Sequence, residues 1–213
     1  QLPEPSTPEQ LRGSFVHEIL EKLYEFDPEQ RTLATARTIA SDLWATHWAE
    51  HVFNELHLSE RDMRGWRWHA WWCVEEYFGL EDPQEIHPDG LETRLEGTVA
   101  DVPFVGIIDR WSVADNGRAT VTDYKTGKAP APRYAEDKVF QLMVYADMLN
   151  SDKGLDVETV ELIYLKTPGQ IARYQPSDAQ MTKMRTTVST VWEQVNEACS
   201  TGAFEPKPSR LCD

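Results

Sequence analysis

Two short acidic motifs carry the clearest chemical signal in this amino-acid sequence. Asp109 ends the apolar run Gly106-Ile107-Ile108-Asp109-Arg110, and Asp123 and Lys125 lie two residues apart in Thr122-Asp123-Tyr124-Lys125. Two neighbouring β-strands would place both carboxylates at one edge of a sheet, and Mg²⁺ typically takes one or two carboxylates plus water and phosphate. A lysine on the same strand face as Asp123 can orient or deprotonate an attacking water. The pattern predicts metal-assisted chemistry on a phosphate, although the Asp–Lys pair alone would also fit a surface hairpin.

Three further residues could complete such a site. His17 lies at the edge of the apolar stripe of the first helix, and a neutral imidazole there could join the metal shell. A lone histidine in this position would otherwise be a partly buried helix residue. Gln141 and Tyr145 are four residues apart, so on a helix they share a face and could reach the lysine strand and a substrate phosphate. They would fit the polar side of an amphipathic helix equally well.

These residues, in this order, resemble the PD-(D/E)xK nuclease superfamily, and above all the branch that contains the RecB and AddB nuclease domains and the RecB-like CRISPR-associated exonucleases. The matching segments are Gly13-Ser14-Phe15-Val16-His17-Glu18, Gly106-Ile107-Ile108-Asp109-Arg110, Asp123-Tyr124-Lys125-Thr126-Gly127 and the pair Gln141 and Tyr145. The resemblance implies an α/β (α+β) restriction-endonuclease-like fold with an αβββαβ core, and a site for Mg²⁺ or Mn²⁺. It also implies that His17, Asp109, Asp123 and the Tyr124 carbonyl bind the metal. Lys125 would then be catalytic, with Gln141 and Tyr145 supporting the site and the DNA.

Many members of that branch also carry an iron–sulfur cluster, held by one cysteine before the first helix and three near the C-terminus. Four thiolates are the usual requirement, and Cys212 is the only cysteine in the C-terminal tail of this sequence. The chain begins at Gln1 and ends just after Cys212, and we expect the native protein to extend beyond both ends. A 4Fe–4S cluster that uses Cys212 is therefore expected only in a longer native chain.

The elements that must position these residues follow from periodicity and turn signals. Thr7, Pro8 and Gln10 are typical of a helix start with a capping box, and Ser177 would cap a final helix to about Thr201. Helices are also predicted over about 33–55, after Ser59 and over 136–150, and strands over 92–100, 103–113, 118–125, 157–166 and 171–174. We expect a single domain over 1–213, with a helical insertion at about 28–82 and a core β-meander at about 91–125.

The composition limits how a nucleic acid could be bound. Lys and Arg total 21 against 36 Asp and Glu, and the net charge of −15 counts against broad electrostatic adhesion. Positive charge occurs locally in two clusters, namely Arg61, Arg64 and Arg67 in the third helix and Lys125, Lys128, Arg133 and Lys138 beside the proposed site. The three arginines alternate with tryptophans, which suits the phosphates and bases of a single strand. Solvated arginines beside core tryptophans would give the same pattern.

We therefore expect a divalent-metal-dependent deoxyribonuclease, a RecB-like exonuclease acting on single-stranded DNA in repair or recombination, with a helicase or repair protein as a candidate partner. The alternative is a non-catalytic or partner-dependent DNA-binding subunit of a helicase–nuclease complex. A third possibility is a nuclease that cleaves RNA. Three widely spaced cysteines and the lack of a long apolar run favour the cytoplasm and argue against a membrane span.

Overall fold

The computed structural model describes residues 6–131 and 136–204. Its helices are α1 (Pro8–Tyr24), α2 (Leu33–Leu43), α3 (Ala49–Leu56), α4 (Glu60–Leu80), α5 (Glu136–Lys153) and α6 (Asp178–Thr201), with a 3₁₀ turn at Pro28–Gln30 and a π-helical turn at Trp44–Trp48. Its strands are β1 (Gly90–Val99), β2 (Val102–Val113), β3 (Arg118–Lys125), β4 (Asp156–Tyr164) and β5 (Gln170–Tyr174). Within these ranges, no helix combines the length and apolar character that crossing a membrane would need.

The five strands form one sheet in chain order, β1-β2-β3-β4-β5. All neighbours are antiparallel except β3 and β4, which are parallel and are connected through α5. A parallel pair needs a crossover of this kind, because a short hairpin can only join antiparallel strands. The predicted α/β class and the αβββαβ order are therefore confirmed, with α2, α3 and α4 lying between α1 and β1 in the chain.

The first helix begins where the sequence predicts it. The Thr7 side chain accepts a hydrogen bond from the backbone N–H of Gln10, and the Gln10 side chain accepts one from the Thr7 N–H, which completes a capping box. Phe15, Val16 and Ile19 on this helix are buried in the core. Because that apolar stripe must face inward, the rotation of α1 about its axis is fixed, and with it the direction of His17.

The sheet separates two hydrophobic clusters. On one face, the apolar stripes of α1, α2 and α4 pack against Tyr124, Ile163 and Leu165, and we refer to this side as the helical layer. On the other face, α5 and α6 cover Val121 and Leu162. Tyr124 and Val121 come from the same strand and point to opposite faces, so β3 carries core residues on both sides.

Arg110 of β2 joins the helical layer to the sheet. Its side chain is only 5% exposed, and its guanidinium contacts both carboxylate oxygens of Glu81 at 2.8 and 2.9 Å. It also donates to the hydroxyls of Tyr24 and Tyr77, and it lies 3.5 Å from Glu161. A buried guanidinium is tolerated only when its donors are satisfied in this way.

Replacing Arg110 should therefore be costly. Arg110→Met would leave Glu81 buried without its cation, and we expect it to lower the free energy of unfolding by about 3–5 kcal/mol in urea titrations. The matched control is Arg118→Met, because Arg118 makes a 2.8 Å ion pair with Glu158 but its side chain is 50% exposed. That variant should change the unfolding free energy by less than about 1 kcal/mol. Equal effects of the two substitutions would show that Arg110 does not hold the two layers together.

Candidate metal centre

Asp109 lies where strand β2 changes the face that it presents. Residues two apart on a regular strand share a face, yet Ile108 packs into the cluster with α5 whereas Arg110 contacts Tyr24 and Tyr77 of the helical layer. The β2–β3 pairing ends at Arg110 and Thr122, so the strands separate beyond this pair. This change of face leaves the Asp109 carboxylate beside the opening between the two strands.

The Asp109 carboxylate takes over a hydrogen bond that the strand ladder no longer makes. Its Oδ2 accepts the backbone N–H of Tyr124 at 2.7 Å, and its Oδ1 lies 3.5 Å from Nδ1 of His17. The other ring nitrogen of His17, Nε2, is 2.9 Å from the Tyr124 carbonyl oxygen. The imidazole, the Asp109 carboxylate and the Tyr124 backbone are thus in direct mutual contact, and these are three of the four groups that the family resemblance implies as metal ligands.

Glu92 is an acidic neighbour that the sequence reasoning missed. On the ladder between β1 and β2, Leu91 pairs with Arg110 and Thr93 with Ile108, which places Glu92 across from Asp109. Donor atoms of His17, Glu92 and Asp109 all lie within 4.8 Å of one another. The backbone of Glu92 has φ +39°, in the left-handed region that side chains other than glycine rarely adopt. Such local strain is found preferentially at functional positions.

Asp123 and Lys125 approach from the β3 side of the same opening. The Asp123 side chain is 7% exposed, and its Oδ2 lies 2.5 Å from the Lys125 ammonium nitrogen. The ammonium therefore partly neutralises this buried carboxylate, and it lowers the pKa of Asp123 against the larger upward effect of burial.

Burial, together with neighbouring negative charge, raises the pKa values of Glu92 and Asp123. Burial, followed by the charge of Asp109, raises the pKa of Glu92 to about 7 and that of Asp123 to about 6. For His17, burial lowers the pKa, but the hydrogen bond and negative charge of Asp109 outweigh it, and the net shift is upward. These shifts express the repulsion among three carboxylates that a nearby positive charge would relieve.

The donor set fits a hard divalent cation. Carboxylate and carbonyl oxygens are the ligands that Mg²⁺ and Mn²⁺ prefer, and imidazole is tolerated by the latter. The close grouping of His17, Glu92 and Asp109, with donor atoms within 4.8 Å of one another, is the arrangement that one shared cation needs. The residues present therefore fit a divalent metal site.

Gln141 and Tyr145 lie on α5, which packs against the segment of β2 that precedes Asp109. The Gln141 side-chain amide donates to the Tyr145 hydroxyl at 2.7 Å. The Tyr145 ring lies over Gly106 of β2, and a Cβ added at Gly106 would stand only 2.5 Å from a ring carbon. The close approach of the Tyr145 ring therefore explains why position 106, three residues before Asp109, is a glycine.

The residues predicted to contact nucleic acid are only partly described. Arg61, Arg64 and Arg67 are exposed on α4, and Lys128 is exposed in the loop after β3. Arg133 and Cys212 lie outside the described residues, so the role of Arg133 and the iron–sulfur cluster stay predictions. In the described part of the chain, Cys73 is buried on α4 and Cys199 is exposed on α6.

Comparisons with known proteins agree with this geometry. A family model described as "PD-(D/E)XK nuclease superfamily" matches residues 1–213. A solved structure of a "Putative exonuclease" from Eubacterium rectale superposes with a TM-score of 0.58 at 14% identity, covering 99% of this chain and 74% of that one. A solved structure of SSO0001 matches with a TM-score of 0.38 at 16% identity, covering 92% and 86%. No curated protein matches the chain in sequence.

The raised pKa of Glu92 predicts how stability depends on pH without metal. Because the folded state holds this proton more tightly than the unfolded state, the stabilising effect is complete below the ordinary pKa of 4.5 and is lost as pH rises through about 7. In EDTA, Glu92→Gln should therefore raise the free energy of unfolding at about pH 8 and change it less at about pH 5. Glu96→Gln, at an exposed position of the same strand, is the control and should show no such pH dependence. Destabilisation by Glu92→Gln at the higher pH would contradict the proposed crowding.

Proposed function

The chain belongs to the PD-(D/E)XK nuclease superfamily, and on that premise we propose that it is a divalent-metal-dependent deoxyribonuclease that hydrolyses phosphodiester bonds. One observation carries the proposal: donor atoms of His17, Glu92 and Asp109 lie within 4.8 Å of one another beside the opening between β2 and β3. Asp123 of β3, with the Lys125 ammonium beside it, is near enough for the charge of Asp109 to raise its pKa. The pKa values of two of these carboxylates, Glu92 and Asp123, are raised, and such shifts occur preferentially at functional sites rather than at purely structural ones.

In this proposal His17, Asp109, Asp123 and the Tyr124 carbonyl hold Mg²⁺ or Mn²⁺, and Glu92 is a further ligand or neighbour. When bound, the divalent cation supplies Lewis-acid polarisation of a phosphate oxygen and offsets developing negative charge. The protein's own contribution is to hold these groups rigidly. The Tyr124 N–H orients Asp109, and the packed face of α1 orients His17.

Lys125 is proposed as the catalytic residue of the strand. Its side chain is 26% exposed, so it can reach a substrate from solvent, while Asp123 fixes the position of its ammonium group. From there it can orient the attacking water and stabilise the charge that develops on the scissile phosphate. Gln141 and Tyr145 on α5 are proposed to support the site and the bound DNA.

The finer assignment is a RecB-like exonuclease that acts on single-stranded DNA in repair or recombination. It is supported by the four sequence motifs of that branch and by the exposed arginines of α4 with Trp68 beside them. Since the chain carries a net charge of −15, any strand must be held by such local cations, and Lys128 is a second candidate. A helicase or repair partner belongs to the same proposal.

Metal binding can be tested without any substrate. If the acidic cluster holds the cation, Mn²⁺ at about one hundred times its dissociation constant should raise the melting temperature by about 5–10 °C. Asp109→Asn should lose most of that rise, because an amide oxygen replaces a charged ligand while still accepting the Tyr124 N–H. The same rise in both proteins would place the Mn²⁺ site elsewhere.

Lys125 offers a test that separates chemistry from binding. Lys125→Ala should slow single-turnover cleavage by orders of magnitude and leave DNA affinity within a few-fold, because it acts mainly in the transition state. Lys128→Ala is the matched control, since it removes the same charge three residues away at an exposed position. It should alter affinity and salt dependence more than the cleavage rate. Wild-type cleavage by Lys125→Ala would favour a partner-dependent DNA-binding subunit instead.

A further inference from the structure

A second feature lies in the helical layer, away from the metal centre. A cavity of about 400 Å³ opens between α1, α2 and α4. Its lining includes buried Phe15 and Ile19 and the indole rings of Trp68 and Trp71. The Trp68 side chain is 58% exposed, so one face of its indole ring is open to a ligand.

The rim of this cavity is positively charged. Arg37, Arg64 and Arg67 all line it. Arg37 lies over the Trp71 ring and makes a loose 3.8 Å contact with Glu75, whereas Arg64 and Arg67 make no ion pair within residues 6–131 and 136–204. Three guanidinium groups around one aromatic opening contrast with the net charge of −15 of the whole chain.

Arg67 is held in place by a neighbouring ring. Its guanidinium carbon lies 4.5 Å from the centre of the Trp44 ring, and partial burial lowers its pKa. Trp44 begins the π-helical turn that interrupts the helix between α2 and α3, and it packs against Phe15 and Trp66. Cation–π stacking of this kind orders an arginine before a ligand arrives, which reduces the entropy lost on binding.

The cavity and the metal centre lie on opposite sides of α1. Phe15 and Ile19 are one turn apart and face the cavity, while His17, midway between them in sequence, points to Asp109 and Tyr124. A helix with its side chains is about 10–12 Å across. A group bound in the cavity is therefore not the one being cleaved, but it can belong to the same strand.

We propose that this cavity binds one nucleotide of a single strand at a distance from the scissile bond. The base stacks on the Trp68 ring, beside Trp71, and Arg64 and Arg67 contact the adjoining phosphate. Charge complementarity and the aromatic walls select this occupant, because base stacking on indole rings and guanidinium contacts to phosphate are the two contributions that single-strand binding combines. The choice of nucleic acid rests on the proposed function.

The proposal can be tested by the anisotropy of a labelled oligothymidylate and of an abasic oligomer of the same length and charge. Both are titrated in EDTA, so no strand is cut and failure of the cleavage proposal would leave this test intact. Trp68→Ala should weaken binding of the oligothymidylate by about tenfold and leave binding of the abasic strand within about twofold. Arg64→Ala should weaken both and reduce the slope of log affinity against log salt by about one.

The matched control is Trp72→Ala, since Trp72 is 50% exposed on the same helix but does not line the cavity. It should leave both affinities unchanged, and melting temperatures should show that all variants are folded. Thymidine 5′-monophosphate, added as a competitor, should displace the strand only at concentrations far above those at which the oligomer binds. Equal losses for both strands in Trp68→Ala, no loss in either, or tighter binding of the mononucleotide than of the oligomer would overturn the proposal.

Discussion

The buried guanidinium of Arg110 is the contact on which the candidate site depends. It can satisfy its donors only on the helical side of the sheet, where Glu81, Tyr24 and Tyr77 surround it. The preceding residue, Asp109, is therefore turned toward the opening between β2 and β3, although Ile108 still faces α5. One buried cation thus holds α1 and α4 against the sheet and fixes the carboxylate that meets the histidine of α1.

The chemistry of the site conflicts with the stability of the chain around it. Glu92, Asp109 and Asp123 repel one another, Glu92 has a left-handed backbone conformation, and the Asp123 carboxylate is buried. The His17 ring and the Lys125 ammonium offset only part of this charge. Surrounding core packing on both sheet faces maintains the arrangement, and a bound divalent cation would remove most of the repulsion.

The sequence predicts those features that depend on short-range patterns. The capping box at Thr7 and Gln10, the order of strands and helices and the placement of Asp109 and Asp123 on neighbouring strands could all be predicted from spacing. Glu92 could not, because its position depends on the pairing of β1 with β2 and on an unusual φ angle. The Arg110 contacts join residues up to 86 positions apart, and the arginine-lined cavity needs three helices to form. The predicted helix over 33–55 is also divided by a π-helical turn that its periodicity does not show.

The central claim is that this acidic cluster uses a divalent cation to cleave DNA, and cleavage of end-labelled single-stranded DNA across an Mn²⁺ titration tests it most directly. Wild-type protein should cut the strand as Mn²⁺ is added, stop when EDTA is in excess, and resume when Mn²⁺ is restored. Asp109→Asn, which keeps the hydrogen-bond acceptor for Tyr124, should remain far slower at every Mn²⁺ concentration. Cleavage that persists in EDTA, or that Asp109→Asn performs at the wild-type rate, would contradict the account.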